Sequence, residues 1–102
     1  IAVLGDMLEL GPYSETLHRE LGRLLSSEGV DIFLAVGYEM KKAAEEAKGM
    51  EVHSLETSEE AGRLLSVILR PGDTVLIKGS RLMAMERVMD MFKKDDVMSS
   101  RR

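Results

Sequence analysis

The sequence contains no cysteine and no tryptophan, and only two prolines, two tyrosines and two phenylalanines in 102 residues. Without cysteine there is no disulfide and no thiolate metal ligand, so stability must come from a packed core, and the pattern is that of a cytoplasmic protein. No apolar run approaches the roughly 20 residues of a membrane helix, and no signal-peptide pattern opens the chain. Neither sign of charge dominates: 14 Lys and Arg against 18 Asp and Glu leave a net charge of -4, which argues against a broadly basic nucleic-acid surface. What is present is an ordinary globular mixture, 44% hydrophobic and 31% charged, long enough for one core and too short for two. Ile1 already reads as strand, so the expectation is a piece of a longer protein rather than a short protein trimmed by a few residues.

Hydrophobic periodicity divides the chain into alternating strands and helices. Ile1-Ala2-Val3-Leu4 is apolar on both faces, as a buried parallel strand must be, and Gly5 ends it. A loop follows to Tyr13, punctuated by Gly11-Pro12. Ser14 is the candidate N-cap of a helix whose stripe is Leu17, Leu21, Leu24 and Leu25, with Gly29 at its end. Ile32–Val36 is a second buried strand. Met40, Ala43, Ala44 and Ala47 mark a small-faced helix that closes near Gly49. Glu51–Leu55 alternates, as a strand near an edge does. Thr57 and Glu60 have capping-box spacing, and Ala61, Leu64, Leu65 and Ile68 form the next stripe, stopped by Arg70-Pro71-Gly72. Thr74–Ile77 is the fourth strand. Met85, Val88, Met89 and Phe92 form the last stripe, Lys93 and Lys94 suit that helix's C-terminus, and Asp95–Arg102 is a polar tail. The expected domain is thus 1–92, with 93–102 as tail. The alternation predicts an α/β fold: a Rossmann-like parallel sheet of about four strands, order 3-2-1-4, with helices on both faces.

In such sheets ligands lie beyond the carboxyl ends of the strands, near the switch in strand order. Two loops would converge there, Gly5–Gly11 and Lys78-Gly79-Ser80-Arg81. The second combines two cations, a glycine that lets backbone approach a ligand, and a hydroxyl expected at a helix start, where free N–H groups favour anions. It would hold a carboxylate or a phosphate. The plainer reading makes Ser80 a cap and leaves Lys78 and Arg81 solvated or paired with acids. Asp6 and Glu9 could orient a cation, a ribose or an ammonium group, or could tie the loops together through Lys78 or Arg81. His18 could reach toward the Asp6 loop or be a structural histidine at a helix border. His53 is a surface residue. The two histidines do not have metal-ligand spacing, and the eight methionines fall on helix stripes as core filler.

Other signatures are missing. Lys-Gly-Ser is not the Gly-Lys-Ser of a phosphate loop, no Gly-x-Gly-x-x-Gly follows the first strand, and there is no Ser-His-Asp or Cys-His arrangement. The residues alone support an anion-binding α/β domain.

The run Val3-Leu4-Gly5-Asp6-Met7-Leu8-Glu9-Leu10-Gly11 resembles the opening of the C-terminal domain of the Mur ligases, specifically those that join D-alanyl-D-alanine to UDP-N-acetylmuramoyl-tripeptide. Ser14-Glu15, Leu17-His18, Gly22, Val36-Gly37, Lys78-Gly79-Ser80-Arg81, Met85-Glu86 and Val88 continue the resemblance in the family's order, from Ile1 to about Phe92. The tail beyond Phe92 carries none of it, and Pro12 falls where the family varies.

The resemblance implies a cytoplasmic, ATP- and Mg2+-dependent, amide-bond-forming ligase of peptidoglycan precursor synthesis, with the consequences for cell wall, cell shape and division that follow. A first domain would bind the UDP-sugar, and a central domain would hold ATP and magnesium. The tripeptide carboxylate would be activated as an acyl phosphate and attacked by the dipeptide's amine. The present chain would be the third, closing domain, inactive alone, with no catalytic residue and no metal ligand of its own. By resemblance, Lys78, Gly79, Ser80 and Arg81 would bind the dipeptide's carboxylate, and Asp6, Met7, Glu9 and His18 would lie toward the nucleotide and the central domain. Neither nucleic acid nor membrane is expected as partner. The alternative is a non-catalytic anion-binding regulatory or interaction module of similar fold.

Overall fold

Four short strands run parallel, the third in sequence beside the second, the second beside the first, and the first beside the fourth. The structure, a computed structural model, describes residues 1–8, 10–79 and 83–90; the expected tail, with Phe92, Lys93 and Lys94, lies outside these residues. Strands β1 (Ala2–Gly5) and β2 (Ile32–Val36) are central and almost wholly buried. Strands β3 (Glu51–Leu55) and β4 (Leu76–Lys78) form the two edges. The expected sheet order is therefore found.

Side chains alternate across the sheet and feed two cores. Ala2, Leu4, Phe33 and Ala35 face α1 (Ser14–Ser27) and α2 (Met40–Glu46), while Val3, Leu34 and Val36 face α3 (Ser58–Ile68) and α4 (Glu86–Asp90). Phe33, Leu34, Val3 and Val36 are wholly buried, each worth about 1.5–3 kcal/mol of transfer free energy. That two-sided burial is why these strands read as continuous apolar runs.

Several local expectations hold. Thr57 Oγ1 accepts from the Glu60 amide at 3.1 Å and Glu60 reaches back to the Thr57 amide at 3.3 Å, a complete capping box that starts α3. Gly29, at φ 76°, follows the C-cap of α1, and the Val30 amide returns to the Leu25 carbonyl, as left-handed termination requires.

Two expectations are corrected. Ser14 does not cap α1: a 3₁₀ turn at Gly11–Tyr13 runs directly into the helix, so Ser14 is already helical and its hydroxyl is free to bond elsewhere. The fourth strand is Leu76–Lys78 rather than Thr74–Ile77, because the ladder with β1 begins at Ala2↔Leu76 while the Thr74 carbonyl accepts from the Ile1 amino group at 2.9 Å. It is an edge strand, as the order 3-2-1-4 requires, with Leu76 52% exposed. The α1 stripe is incompletely covered for a related reason. Helices α1 and α2 sit over β1, β2 and β3 and leave the β1–β4 side of that face open. An apolar groove of about 860 Å³ remains there, walled by Leu4, Leu21, Leu24 and Leu76 and reaching Met7 and Lys78 at the carboxyl rim.

Helices α1 and α2 are locked by a close approach. A Cβ built on Gly22 would lie 2.1 Å from the Ala43 carbonyl oxygen, so only glycine lets the two helices meet here. Arg19 adds ion pairs to Glu15, Glu45 and Glu46. Helix propensity alone favours alanine at position 22 by about 1 kcal/mol; the required separation of the helices costs more. Gly22→Ala is therefore expected to destabilise the chain by about 1–3 kcal/mol net, read as a lower urea midpoint. An unchanged or raised midpoint would contradict the packing described.

Candidate functional site at the carboxyl rim

The pairing of β1 with β4 places both singled-out loops on the same rim. Leu4 is in register with Lys78, so Gly5 and Gly79 leave the sheet side by side. A Cβ on Gly79 would fall 2.6 Å from Met85 Cγ and 3.1 Å from Gly5 Cα, and one on Gly5 would fall 2.7 Å from Met85 Sδ. Two adjacent glycines thus admit Met85 beneath the rim. The sequence suggested Gly79 as a place for a ligand to approach; the structure gives it an internal reason, since the chain's own backbone and Met85 make that approach.

Helix α4 begins at Glu86; the expected placement of Ser80 at a helix N-terminus falls on residues 80–82, which lie outside the described ones. Just before α4, Ala84 lies at φ 51°, and Met85 beside it is buried. Glu9, Ser80 and Arg81 lie outside the described residues. Lys78 is exposed at the end of β4, lines the rim end of the groove, and makes no ion pair with any other described residue. Across from it, Met7 and Leu8 are half-buried and line the same groove.

Behind this surface lies a polar network that sequence reasoning did not assemble. Asp6 is 6% exposed, and its Oδ1 accepts from the Met40 amide at 2.7 Å. It satisfies a free N–H group at the start of α2, as an N-terminal cap does. Gly37, at φ 109°, sits directly against that carboxylate: a Cβ there would lie 2.5 Å from Asp6 Cγ. The Asp6 amide donates to the Val36 carbonyl at 3.1 Å, extending the β1–β2 ladder by one step. The carboxylate therefore faces inward, toward the β2–α2 turn, rather than across the rim toward Lys78.

His18 is wholly buried. Its Nε2 accepts from the Met7 amide at 3.1 Å, and Nδ1 lies 2.8 Å from the Ser14 carbonyl. Since the amide can only donate, the proton is assigned to Nδ1, which donates to that carbonyl. The Ser14 hydroxyl donates to Glu39 at 3.0 Å, and Glu39 pairs with Lys42. The signal available in sequence was the Ser14/His18 pair, four apart on one helix; nothing local pointed to Glu39. His53 is only partly buried and bonded to Glu51 at 2.6 Å, on the edge strand β3.

The described residues include no group of three His, Asp or Glu that could hold a metal ion. With Asp6 already engaged and no phosphate loop in the sequence, these residues do not fit a magnesium–nucleotide phosphate centre of their own. Among the described residues this rim presents the exposed Lys78 beside the half-buried, apolar Met7 and Leu8.

The Lys42 ammonium holds the Glu39 carboxyl below its usual range, with the Ser14 hydroxyl assisting, and Glu39 holds Lys42 above its usual range. Glu39's contribution is present above its unfolded pKa and is lost as pH falls through the lowered folded value. Lys42's is present below its unfolded pKa and is lost as pH rises through the raised folded value. Glu39→Gln is expected to flatten the acid limb of the stability–pH curve, measured by urea denaturation between neutral pH and the carboxylate range; an unaltered slope would contradict the pairing. Asp6→Ala is expected to cost about 1–2 kcal/mol by orphaning the Met40 amide, and Asp6→Asn less.

Comparison with known proteins places this rim in a family. The family model described as "Mur ligase, glutamate ligase domain" matches residues 1–81. The chain is 37% identical over 90 residues to UDP-N-acetylmuramoyl-tripeptide–D-alanyl-D-alanine ligase of Escherichia coli, covering 87% of this chain and 20% of that protein. It is 36% identical over 91 residues to the Bacillus subtilis protein of that name, covering 85% and 20%. Among solved structures, MurF from Acinetobacter baumannii superposes with a TM-score of 0.77 at 33% identity, over 90% of this chain and 21% of that one. MurF ligase from Thermotoga maritima in complex with ADP superposes with a TM-score of 0.74 at 32% identity, over 92% and 21%. The chain thus spans about a fifth of the length of the relatives it matches. The family model covers most of the chain and the backbone superposes on these structures, and the chain belongs to the Mur ligase family, as its glutamate ligase domain.

Proposed function

We propose that this chain is the C-terminal domain of an ATP-dependent ligase that adds D-alanyl-D-alanine to a UDP-N-acetylmuramoyl-tripeptide, a cytoplasmic step of peptidoglycan precursor synthesis. The observation that carries the reading is the match over nearly the whole chain to ligases bearing that name, in sequence and in backbone. The rim gives it a physical basis. Lys78 stands exposed beside Gly5, Met7 and Leu8, so an incoming dipeptide has a cation for its carboxylate and apolar surface for its methyl groups. Gly79, Ser80 and Arg81 continue the same loop and complete the proposed carboxylate grip. Met7 and Glu9 would face the central domain, with Asp6 and His18 holding them from behind.

ATP and Mg2+ would be held by the central domain and would supply activation of the tripeptide carboxylate. The N-terminal domain would hold the UDP-sugar. The part left to this chain is positional: it presents the dipeptide's amine to the activated carboxyl group and excludes water on closure. Domain 1–92 would make that movement, with 93–102 a polar tail. A non-catalytic anion-binding module of the same fold would use the same loop, but no observation favours it.

Two outcomes are expected. The isolated 102-residue chain should show no ATP-dependent ligation, whereas the full-length protein should consume ATP only when both substrates are present. In the full-length protein Lys78→Ala should raise KM for D-alanyl-D-alanine about tenfold or more, the loss of one charge-assisted contact, and leave KM for the UDP-tripeptide unchanged. Equal effects on both KM values, or none, would contradict the assignment of Lys78.

A further inference from the structure

The buried imidazole of His18 has a defined partner on each ring nitrogen, and one of them is the backbone of the rim loop. We propose that His18 is a positioning residue for the ligation: its unprotonated Nε2 fixes the Met7 amide, and thereby sets the path of the loop that faces Lys78 and Gly79. This rests on the function proposed above for the intact enzyme.

The argument starts from burial. His18 is 0% exposed, on the buried face of α1, where leucine would pack with no polar group to satisfy. A ring with two nitrogens is tolerated there only if both are bonded. The bond from Nδ1 to the Ser14 carbonyl at 2.8 Å stays within α1 and orients the ring. The second bond, from the Met7 amide to Nε2 at 3.1 Å, crosses from α1 to the loop leaving β1. It is the described side-chain anchor of that loop onto α1, and it acts one residue after Asp6, which anchors the loop to α2. The Asp6-Met7 step is then held to α2 through Asp6 and to α1 through Met7, whose side chain lines the groove at the rim. Ser14 extends the set: its hydroxyl lies 3.3 Å from Nδ1 and bonds to Glu39, which pairs with Lys42. Ring orientation is thus tied to both helices, and the loop's position relative to Lys78 follows from it. His18 lies beneath the loop rather than at the rim, so its effect is exerted through Met7.

The test uses the full-length enzyme with two substitutions. His18→Gln keeps an oxygen able to accept from the Met7 amide; His18→Leu fills the space without an acceptor. The expectation is that His18→Leu lowers kcat about 10- to 100-fold, the scale of an ångström-size misplacement near a reacting group, with KM for the UDP-tripeptide unchanged. His18→Gln should recover most of that loss at an equal thermal midpoint. Selective 15N labelling of the histidine ring in the wild-type enzyme should show the neutral form protonated at Nδ1, a readout independent of activity and of whether the variants fold. Wild-type turnover in His18→Leu, an equally slow His18→Gln with both variants folded, or a ring protonated at Nε2 would overturn the proposal. Failure of the wild-type enzyme to ligate D-alanyl-D-alanine would instead refute the function proposed above, and the labelling result would still decide the loop anchor.

Discussion

The structure depends on β1 being hydrogen-bonded along both edges, to β2 on one side and β4 on the other. A strand in that position must be apolar on both faces, which Ala2, Val3 and Leu4 are. It also becomes the point where strand order reverses, so the loop leaving it has a neighbour on either side: Gly37 after β2 and Gly79 after β4. The three loops at this rim are spaced by backbone contact. Asp6 fits only because Gly37 has no side chain, and Met85 only because Gly5 and Gly79 have none. The rim is therefore built from absences of Cβ as much as from functional groups.

Upon that frame two buried polar side chains hold the loop after β1. Asp6 fastens it to the start of α2 and His18 fastens it to α1. The seven residues of α2 are too few for a helix to persist on propensity; the Asp6 cap, Gly22 packing on Ala43, and the Arg19 and Glu39–Lys42 pairs hold it in place. Surface ion pairs contribute little singly, so burial and the cap carry most of the weight. The side chains that line the groove at the rim are different ones, Lys78 and Met7, and they carry little of the fold. Holding the rim and presenting it are divided between inward and outward residues on the same few positions.

Much of this was legible in the sequence. Continuous apolar runs alternating with amphipathic helices argue for a parallel sheet with right-handed crossovers, and the order 3-2-1-4 came by analogy with doubly wound sheets. Thr57 with Glu60 announced a helix start by chemistry alone. Other features were hidden because they depend on contacts distant in sequence. Nothing near Asp6 says that its partner is the Met40 amide 34 residues away. Ser14 has the chemistry of a cap, yet a preceding 3₁₀ turn took that role and left its hydroxyl to Glu39. The fourth strand was expected to start at Thr74, but β-propensity does not say where a ladder begins, and pairing with β1 starts at Leu76. Met85 reaches its place beneath two glycines through Ala84 at positive φ, and no local pattern announced that path.

The central claim is that a carboxylate-bearing dipeptide is received where the β1 and β4 loops meet. Hydrogen–deuterium exchange of the full-length protein, with a non-hydrolysable ATP analogue and with or without D-alanyl-D-alanine, tests it most directly. The account predicts added protection in residues 6–10 and 78–81, and none at the opposite rim around Gly29–Val30 and Pro71–Asp73. Protection confined to the opposite rim, or a dipeptide that protects other domains and leaves 78–81 unchanged, would contradict it.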